Sequence, residues 1–184
     1  PDNILLFGRA SATELRDGTL QPHFHHRWLL VAPLRGRGTA LVDGASYPLA
    51  PGSILLIPPL RLHRYENVSR GAIRWLFVTF ELPSGDARSV KPSLGRLTHE
   101  SRAILGDIVA RWNSGPSDAA ASARLAAQLA LLLLALRRAA RTPAPSPDAT
   151  GQASLAARIH EWLASHPDKP TRLAAIARSL GLSE

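Results

Sequence analysis

Four histidines are the residues of this sequence best suited to bind a ligand or a metal ion. His23, His25 and His26 lie within four residues, and His63 stands apart from them. On an extended strand His23 and His25 point to one face and His26 to the other, which we expect to be the surface. Together with His63 from a later strand, the first pair predicts either a three-histidine metal site or hydrogen-bonding groups that line a pocket. We favour the pocket, so no metal or cofactor is expected.

The histidines lie among short apolar runs that predict an all-β domain over residues 1–96. The runs cover residues 28–32, 39–42, 53–57 and 73–80, and glycine- or proline-containing turns separate them. Asp43-Gly44 between two such runs indicates a β-hairpin. Short strands at regular spacing are typical of a barrel or a sandwich.

Residues 97–141 are expected to form a pair of helices, with a break at Gly115-Pro116-Ser117. In the second helix Leu125, Leu129, Leu132 and Leu136 recur at the spacing of a helix-packing seam, and we assign them to dimerisation. Leu131, Leu133 and Leu134 widen this stripe nearly all round, which favours self-association in addition to core packing. The run 129–136 is too short to span a membrane, so no membrane association is expected.

The remaining sequence indicates a linker and the beginning of a DNA-binding unit. Residues 142–152 carry three alternating prolines, which favour a stiff, extended linker. Residues 153–184 resemble the first part of a helix-turn-helix domain, in which Thr171 caps a helix, Gly181 turns the chain and Ser183 begins the reading helix. Candidate DNA contacts are Thr171, Arg172 and Ser183. We expect the chain to stop short of the complete reader and therefore to bind DNA poorly.

Composition narrows the function classes. The 184 residues include no cysteine, which excludes disulfides, thiolate metal sites and cysteine nucleophiles, and the net charge of +8 favours an anionic partner such as nucleic acid. The charge is uneven, with twelve basic and seven acidic residues up to Arg96 but four basic and three acidic residues from Ala153 onward. The sequence begins with Pro1 and shows no targeting segment; we expect residues to precede it in the native protein.

Part of the β-rich segment resembles the cupin superfamily. Gly52, Pro58, His63 and Asn67 follow the spacing of the second cupin motif, and His23-x-His25 matches the start of the first. Metal-binding cupins add a glutamate about four residues after that pair, where this chain has leucines. Leu60 also replaces a usual glycine. The missing carboxylate makes a metal site less expected.

The order of barrel, helical pair, linker and helix-turn-helix resembles the AraC/XylS family of transcriptional regulators. This resemblance implies an α+β protein: a cupin-like jelly-roll sensor, a helical pair, and the start of an all-α helix-turn-helix domain. It implies a cytoplasmic, homodimeric, ligand-responsive regulator that binds DNA when full-length and is not an enzyme. The effector-binding residues that it implies are His23, His25, His63, Tyr65, Trp75 and Phe77.

Two alternatives stay open at this point. The chain could be a metal-dependent cupin enzyme, an isomerase or oxygenase that uses His23, His25 and His63. It could also be a constitutive dimerisation module without a ligand. The sequence does not distinguish a sugar from an aromatic acid as the effector.

Overall fold

The computed structural model describes residues 2–17, 24–82, 90–113, 118–139 and 162. The strands are β1 (Asp2–Arg9), β2 (Trp28–Arg35), β3 (Gly38–Val42), β4 (Ala45–Leu49), β5 (Ser53–Ile57), β6 (His63–Glu66), β7 (Arg74–Glu81) and β8 (Ser93–Arg96). The helices are α1 (Ala12–Asp17), α2 (His99–Asn113) and α3 (Ala119–Ala139).

The strands form two antiparallel sheets. The larger sheet has the order β1-β7-β2-β5-β8, and the smaller one has the order β4-β3-β6. The hairpin predicted at Asp43-Gly44 joins β3 to β4, with positive φ angles of 48° and 81° at its two turn residues. A two-residue turn of this kind matches the twist of the strands that it connects.

The side chains between the two sheets form an inner core. Strand alternation places Leu29 and Val31 of β2, and Trp75 and Phe77 of β7, on the side that faces the smaller sheet. That sheet contributes the remaining wall, which includes Ala40, Val42, Tyr47, Leu49 and Tyr65.

The opposite face of the larger sheet packs against α2 and α3. Leu30, Leu76 and Val78 from the sheet contact a cluster that includes Leu105 and Ile108 of α2. A strand between two apolar layers must be apolar on both faces, which explains why the run from Trp75 to Phe80 is hydrophobic apart from Thr79. The two cores therefore share one sheet.

The dimerisation residues assigned from the sequence need a correction. Leu129, Leu132 and Leu136 are fully buried against the sheet, and Leu125 packs beside them. Leu129, Leu132 and Leu136 are thus covered within one subunit, whereas Leu125 is only half-buried. Leu131 and Leu134, on the other side of α3, are 54% and 53% exposed and are the leucines of this helix available to a partner.

By length and composition, residues 119–137 of α3 would be long and apolar enough to cross a membrane. This differs from the expectation based on the shorter run 129–136. One face of α3 packs against the larger sheet, and this packing accounts for part of the apolar composition of the helix.

The α+β class and the order of a double-sheet barrel followed by a helical pair are confirmed. The sequence did not predict α1, and it did not single out β1 or β8. The predicted helix-turn-helix region, with Thr171, Arg172 and Ser183, lies outside the described residues apart from Trp162.

Candidate functional site

A row of polar-tipped rings crosses the inner core. His25 lies 5.1 Å from His63 between ring centroids, and His63 lies 6.1 Å from Tyr65. Tyr65 in turn meets Trp75 and Phe77, each at 5.7 Å and edge to face. Of the six implied effector residues, five are thus brought together. His23 lies outside the described residues.

The two central histidines have a defined ring orientation. His25 Nδ1 lies 2.8 Å from the carbonyl oxygen of Arg27, and His63 Nδ1 lies 2.9 Å from that of Arg61. A carbonyl oxygen only accepts hydrogen bonds, so each Nδ1 carries the proton and Nε2 is the basic nitrogen of the neutral ring. His25 lies before β2 rather than within a strand, so the alternation assumed for His23 and His25 does not apply. His26 is exposed, as expected.

A metal interpretation needs a third ligand. Among the described residues, which do not include His23, no group of three or more histidine, aspartate or glutamate side chains could hold an ion. Leu29 and Leu30, which replace the cupin glutamate, are buried on opposite faces of β2.

Tyr65 and Trp75 bring hydrogen-bond donors into the inner core. Trp75 is wholly buried and Tyr65 is 7% exposed. Neither Tyr65 Oη nor Trp75 Nε1 has a hydrogen-bond partner among the described residues. Burial raises the pKa of Tyr65 well above its usual 10.0, so the hydroxyl keeps its proton. Buried polar groups are normally paired, so these two donors are candidate ligand-binding groups of the inner core.

Polar contacts outside the core hold β6 in position. Asp43 accepts hydrogen bonds from the Leu62 amide at 3.0 Å and from Arg61 Nη1 at 3.1 Å. Arg61 also donates to the Val90 carbonyl at 2.9 Å. These contacts connect the β3–β4 turn to the loop before β6, which places His63 at the start of its strand.

The loop between β5 and β6 holds the segment that carries His25. The Leu60 amide donates to the His25 carbonyl oxygen at 2.9 Å. Leu60 has a φ of 62°, the left-handed region that favours glycine. Leucine therefore replaces the usual cupin glycine without changing the backbone conformation that a glycine would adopt.

Sequence reasoning missed one interior residue on α1. Leu15 is 1% exposed and belongs to the inner core. The helix is capped reciprocally, since Ser11 Oγ accepts from the Glu14 amide and Glu14 Oε2 accepts from the Ala10 amide. The Ser11-x-x-Glu14 pattern of a capping box was the signal that could have revealed this helix.

A concave feature lies on the outer side of the larger sheet. A groove of about 260 Å³ runs between the sheet and α2. Its lining is apolar apart from one guanidinium, with Pro33, Leu34, Leu97, Leu105, Val109 and Arg102 among its residues. Arg102 Nε donates to the Leu97 carbonyl at 3.4 Å, so this side chain partly covers the groove floor.

Comparison with solved structures identifies the fold. The chain is similar to apo ToxT K231A from Vibrio cholerae strain SCE256, with a TM-score of 0.57 and 12% identity over 100% of this chain and 72% of that chain. It is also similar to ToxT from Vibrio cholerae O395, with a TM-score of 0.52 and 11% identity over 100% of this chain and 72% of that one. At such low identity, the likeness concerns the fold alone. No curated protein matches the chain significantly in sequence.

The family assignment follows from the sequence itself. The family model described as the AraC-like ligand binding domain matches residues 9–156, which include strands β2 to β8 and both helices α2 and α3. The cupin-like fold and the AraC resemblance predicted from the motifs are thereby confirmed. The chain belongs to the AraC family, whose ligand-binding domain it contains.

Proposed function

We propose that this chain is the effector-sensing part of a cytoplasmic transcriptional regulator, with a small molecule bound between the two sheets. The observation that carries this proposal is the row of rings with polar tips in the inner core, from His25 through His63 and Tyr65 to Trp75. An apolar cavity wall with a few convergent polar groups is the usual composition of a small-molecule site. Phe77 and, from the sequence, His23 complete the proposed set.

Strand β7 supports a route from the site to the helices. Trp75 and Phe77 face the inner core, whereas Leu76 and Val78 between and beside them face α2 and α3. A ligand that repositions the inner side chains therefore acts on a strand that also contacts the helical layer. Such a ligand shifts the protein between two arrangements only if it binds them with different affinities.

The exposed face of α3 supports homodimerisation. Leu131 and Leu134 share this face with the exposed Ala123 and Ala127. Small residues beside leucines allow two helices to approach closely, and an apolar helix face is unfavourable in water. We propose that α3 pairs with α3 of a second copy through this face.

The linker and residues 153–184 would connect such a dimer to DNA. Thr171, Arg172 and Ser183 are proposed DNA contacts in the full-length protein, with Ser183 at the beginning of the helix that lies in the major groove.

A ligand screen on two matched variants tests the sensing proposal. Phe77 faces the inner core and Phe80 faces the helices, on the same strand and both buried. In a thermal-shift screen of sugars, aromatic acids and neutral carbonyl compounds, Phe77→Leu should abolish the stabilisation by compounds that stabilise the wild type. Phe80→Leu should lower the basal melting temperature but keep the ligand shift. Equal ligand shifts in both variants would contradict an interior site.

Sedimentation analysis tests the dimer. Leu134→Glu introduces a charge on the exposed face of α3 and should yield monomers at concentrations at which the wild type is dimeric. Leu5→Glu, at another exposed leucine on β1, is the matched control and should leave the association unchanged. Monomeric wild-type protein, or a dimer that survives Leu134→Glu, would contradict the proposal.

The metal-dependent enzyme is the less favoured alternative, because the family assignment and the absence of the cupin glutamate both point away from it. Metal analysis of the purified protein separates the two functions. Stoichiometric metal that is lost in His63→Ala would support the enzyme over the regulator.

A further inference from the structure

The two buried donors limit which effector the inner core can hold. Trp75 Nε1 and Tyr65 Oη have no hydrogen-bond partner among the described residues, and their rings meet at 90° with centroids 5.7 Å apart. The Trp75 ring also packs closely on Gly38 of β3, since a Cβ there would lie 2.9 Å from it. The position of the indole donor is therefore set by packing against this strand.

The chemistry of these donors calls for an acceptor on the ligand. An indole N–H donates and cannot accept. The Tyr65 hydroxyl stays protonated and donates as well. Since an unpaired buried donor is unfavourable, a molecule that presents oxygen acceptors to both groups gains more from this site than one that does not.

The surroundings favour a neutral molecule. Among the described residues, the buried polar or charged side chains are His63, Thr79 and Ser101, and none of them is a carboxylate, an ammonium or a guanidinium. The charged groups near His63 in the fold are paired with each other: Asp43 with Arg61 at 3.1 Å, and Glu66 with Arg64 at 2.8 Å. A charged ligand would lose its hydration without gaining an ionic partner in this core.

The aliphatic walls count against a polyol. Each hydroxyl of a sugar needs an acceptor as well as a donor when it is buried, and the inner core is built mainly from side chains that offer neither, such as Leu29, Val31, Leu55 and Ile57. A flat body would instead pack against Phe77, which is stacked on Phe7 at 5.2 Å.

We propose that the effector is a small, neutral, flat molecule with a carbonyl group, whose oxygen accepts hydrogen bonds from Tyr65 Oη and Trp75 Nε1. This inference rests on the proposed sensing function and narrows it to one chemical class. Tyr65 and Trp75 determine the specificity, and Phe77 binds the apolar body.

Four probes with closely related skeletons test the class on the full chain. Acetophenone carries the carbonyl, α-methylstyrene replaces it with an isosteric alkene, 1-phenylethylamine is a cation and benzoate is an anion. The readout is the indole N–H resonance of Trp75 in ¹H–¹⁵N spectra, assigned from its loss in Trp75→Phe. We expect acetophenone to shift this resonance downfield and to bind about tenfold more tightly than α-methylstyrene, which corresponds to one hydrogen bond.

Two further variants test which side chain causes the preference for the ketone over the alkene. Tyr65→Phe removes one donor and should reduce the affinity ratio between acetophenone and α-methylstyrene. Trp112→Phe, on α2 in the outer layer, should leave the ratio unchanged. Equal binding of the ketone and the alkene would overturn the carbonyl class while the sensing function stands. Preference for benzoate or 1-phenylethylamine would overturn neutrality. Failure of all four probes to move the Trp75 resonance would also overturn the class, and the Phe77→Leu screen would then judge the sensing function separately.

Discussion

The two faces of the larger sheet differ in what they bury. On β7, the residues that face the helices are Leu76, Val78 and Phe80, which have no polar side-chain atoms. Toward the smaller sheet, β7 contributes Trp75, and the smaller sheet contributes Tyr65 of β6; both bring donors without partners among the described residues into the interior. One face is optimised for packing, whereas the other retains unmet hydrogen-bonding capacity. A single strand can thus support stability on one side and recognition on the other.

The largest expected effect tests the face of the larger sheet that packs against the helices. Leu132→Ala removes a wholly buried side chain of α3 and should lower the free energy of unfolding by about 2–5 kcal/mol, because a cavity remains beside the sheet. Urea denaturation measures the change. Leu5→Ala, at a leucine 55% exposed on β1, is the control and should change stability by about 0.5 kcal/mol or less. Equal losses in both variants would mean that α3 does not form this core.

A smaller effect tests how closely the helical layer approaches the sheet. A Cβ at Gly8 of β1 would lie 2.3 Å from the Trp112 ring, whereas nothing lies within 4 Å of a Cβ at Gly106 of α2. Gly8→Ala should therefore destabilise the protein by about 1–3 kcal/mol through overpacking. Gly106→Ala should stabilise it by about 0.5–1 kcal/mol because alanine favours the helix. Thermal unfolding of both variants measures the difference in sign, and destabilisation by both would contradict the packing described.

The smallest effect tests the inner core, between the two sheets. Tyr65→Phe removes a hydroxyl without a partner among the described residues and should leave the stability of the ligand-free protein at pH 7 unchanged or raise it by up to about 1 kcal/mol. A clear loss of stability would show that the hydroxyl is already satisfied and would weaken the contrast between the two faces.

Alkaline pH sharpens the same test. Because burial raises the pKa of Tyr65 above 10.0, the unfolded chain loses this proton first as the pH rises. The stabilising contribution is complete below pH 10.0 and is lost as the pH rises from there toward the folded pKa. Burial and Asp43 raise the pKa of Tyr47 as well, against the opposite influence of Arg61. Unfolding measured above pH 10.0 should therefore show a shallower loss of stability in Tyr65→Phe than in the wild type.

Much of the fold could be predicted from the sequence because its signals are local. The Asp43-Gly44 turn and the long apolar helix follow from hairpin preferences and from helical periodicity. Strand β1 was missed, since its pairing with β7 is a contact across most of the barrel. The direction of the leucine seam on α3 was also misjudged, because an apolar stripe does not reveal whether a sheet or a second subunit covers it.

The candidate site, like the fold, could be predicted only in part from the sequence. The motif spacing singled out His63, and the family resemblance implied Tyr65, Trp75 and Phe77. The unpaired state of the Tyr65 and Trp75 donors depends on every neighbour in three dimensions, so no sequence pattern contains it. The effector residues remain a proposal that the variants above can test.

The left-handed backbone at Leu60 marks a position at which a substitution can raise the stability of this protein. A non-glycine residue in that conformation is disfavoured by about 1–2 kcal/mol, and asparagine or glycine would relieve much of this strain while keeping the amide that binds the His25 carbonyl. Proline would remove the amide, and a β-branched residue would increase the strain. If the proposed effector site is redesigned with new polar contacts at the expense of packing, a substitution at Leu60 can therefore recover part of the lost stability.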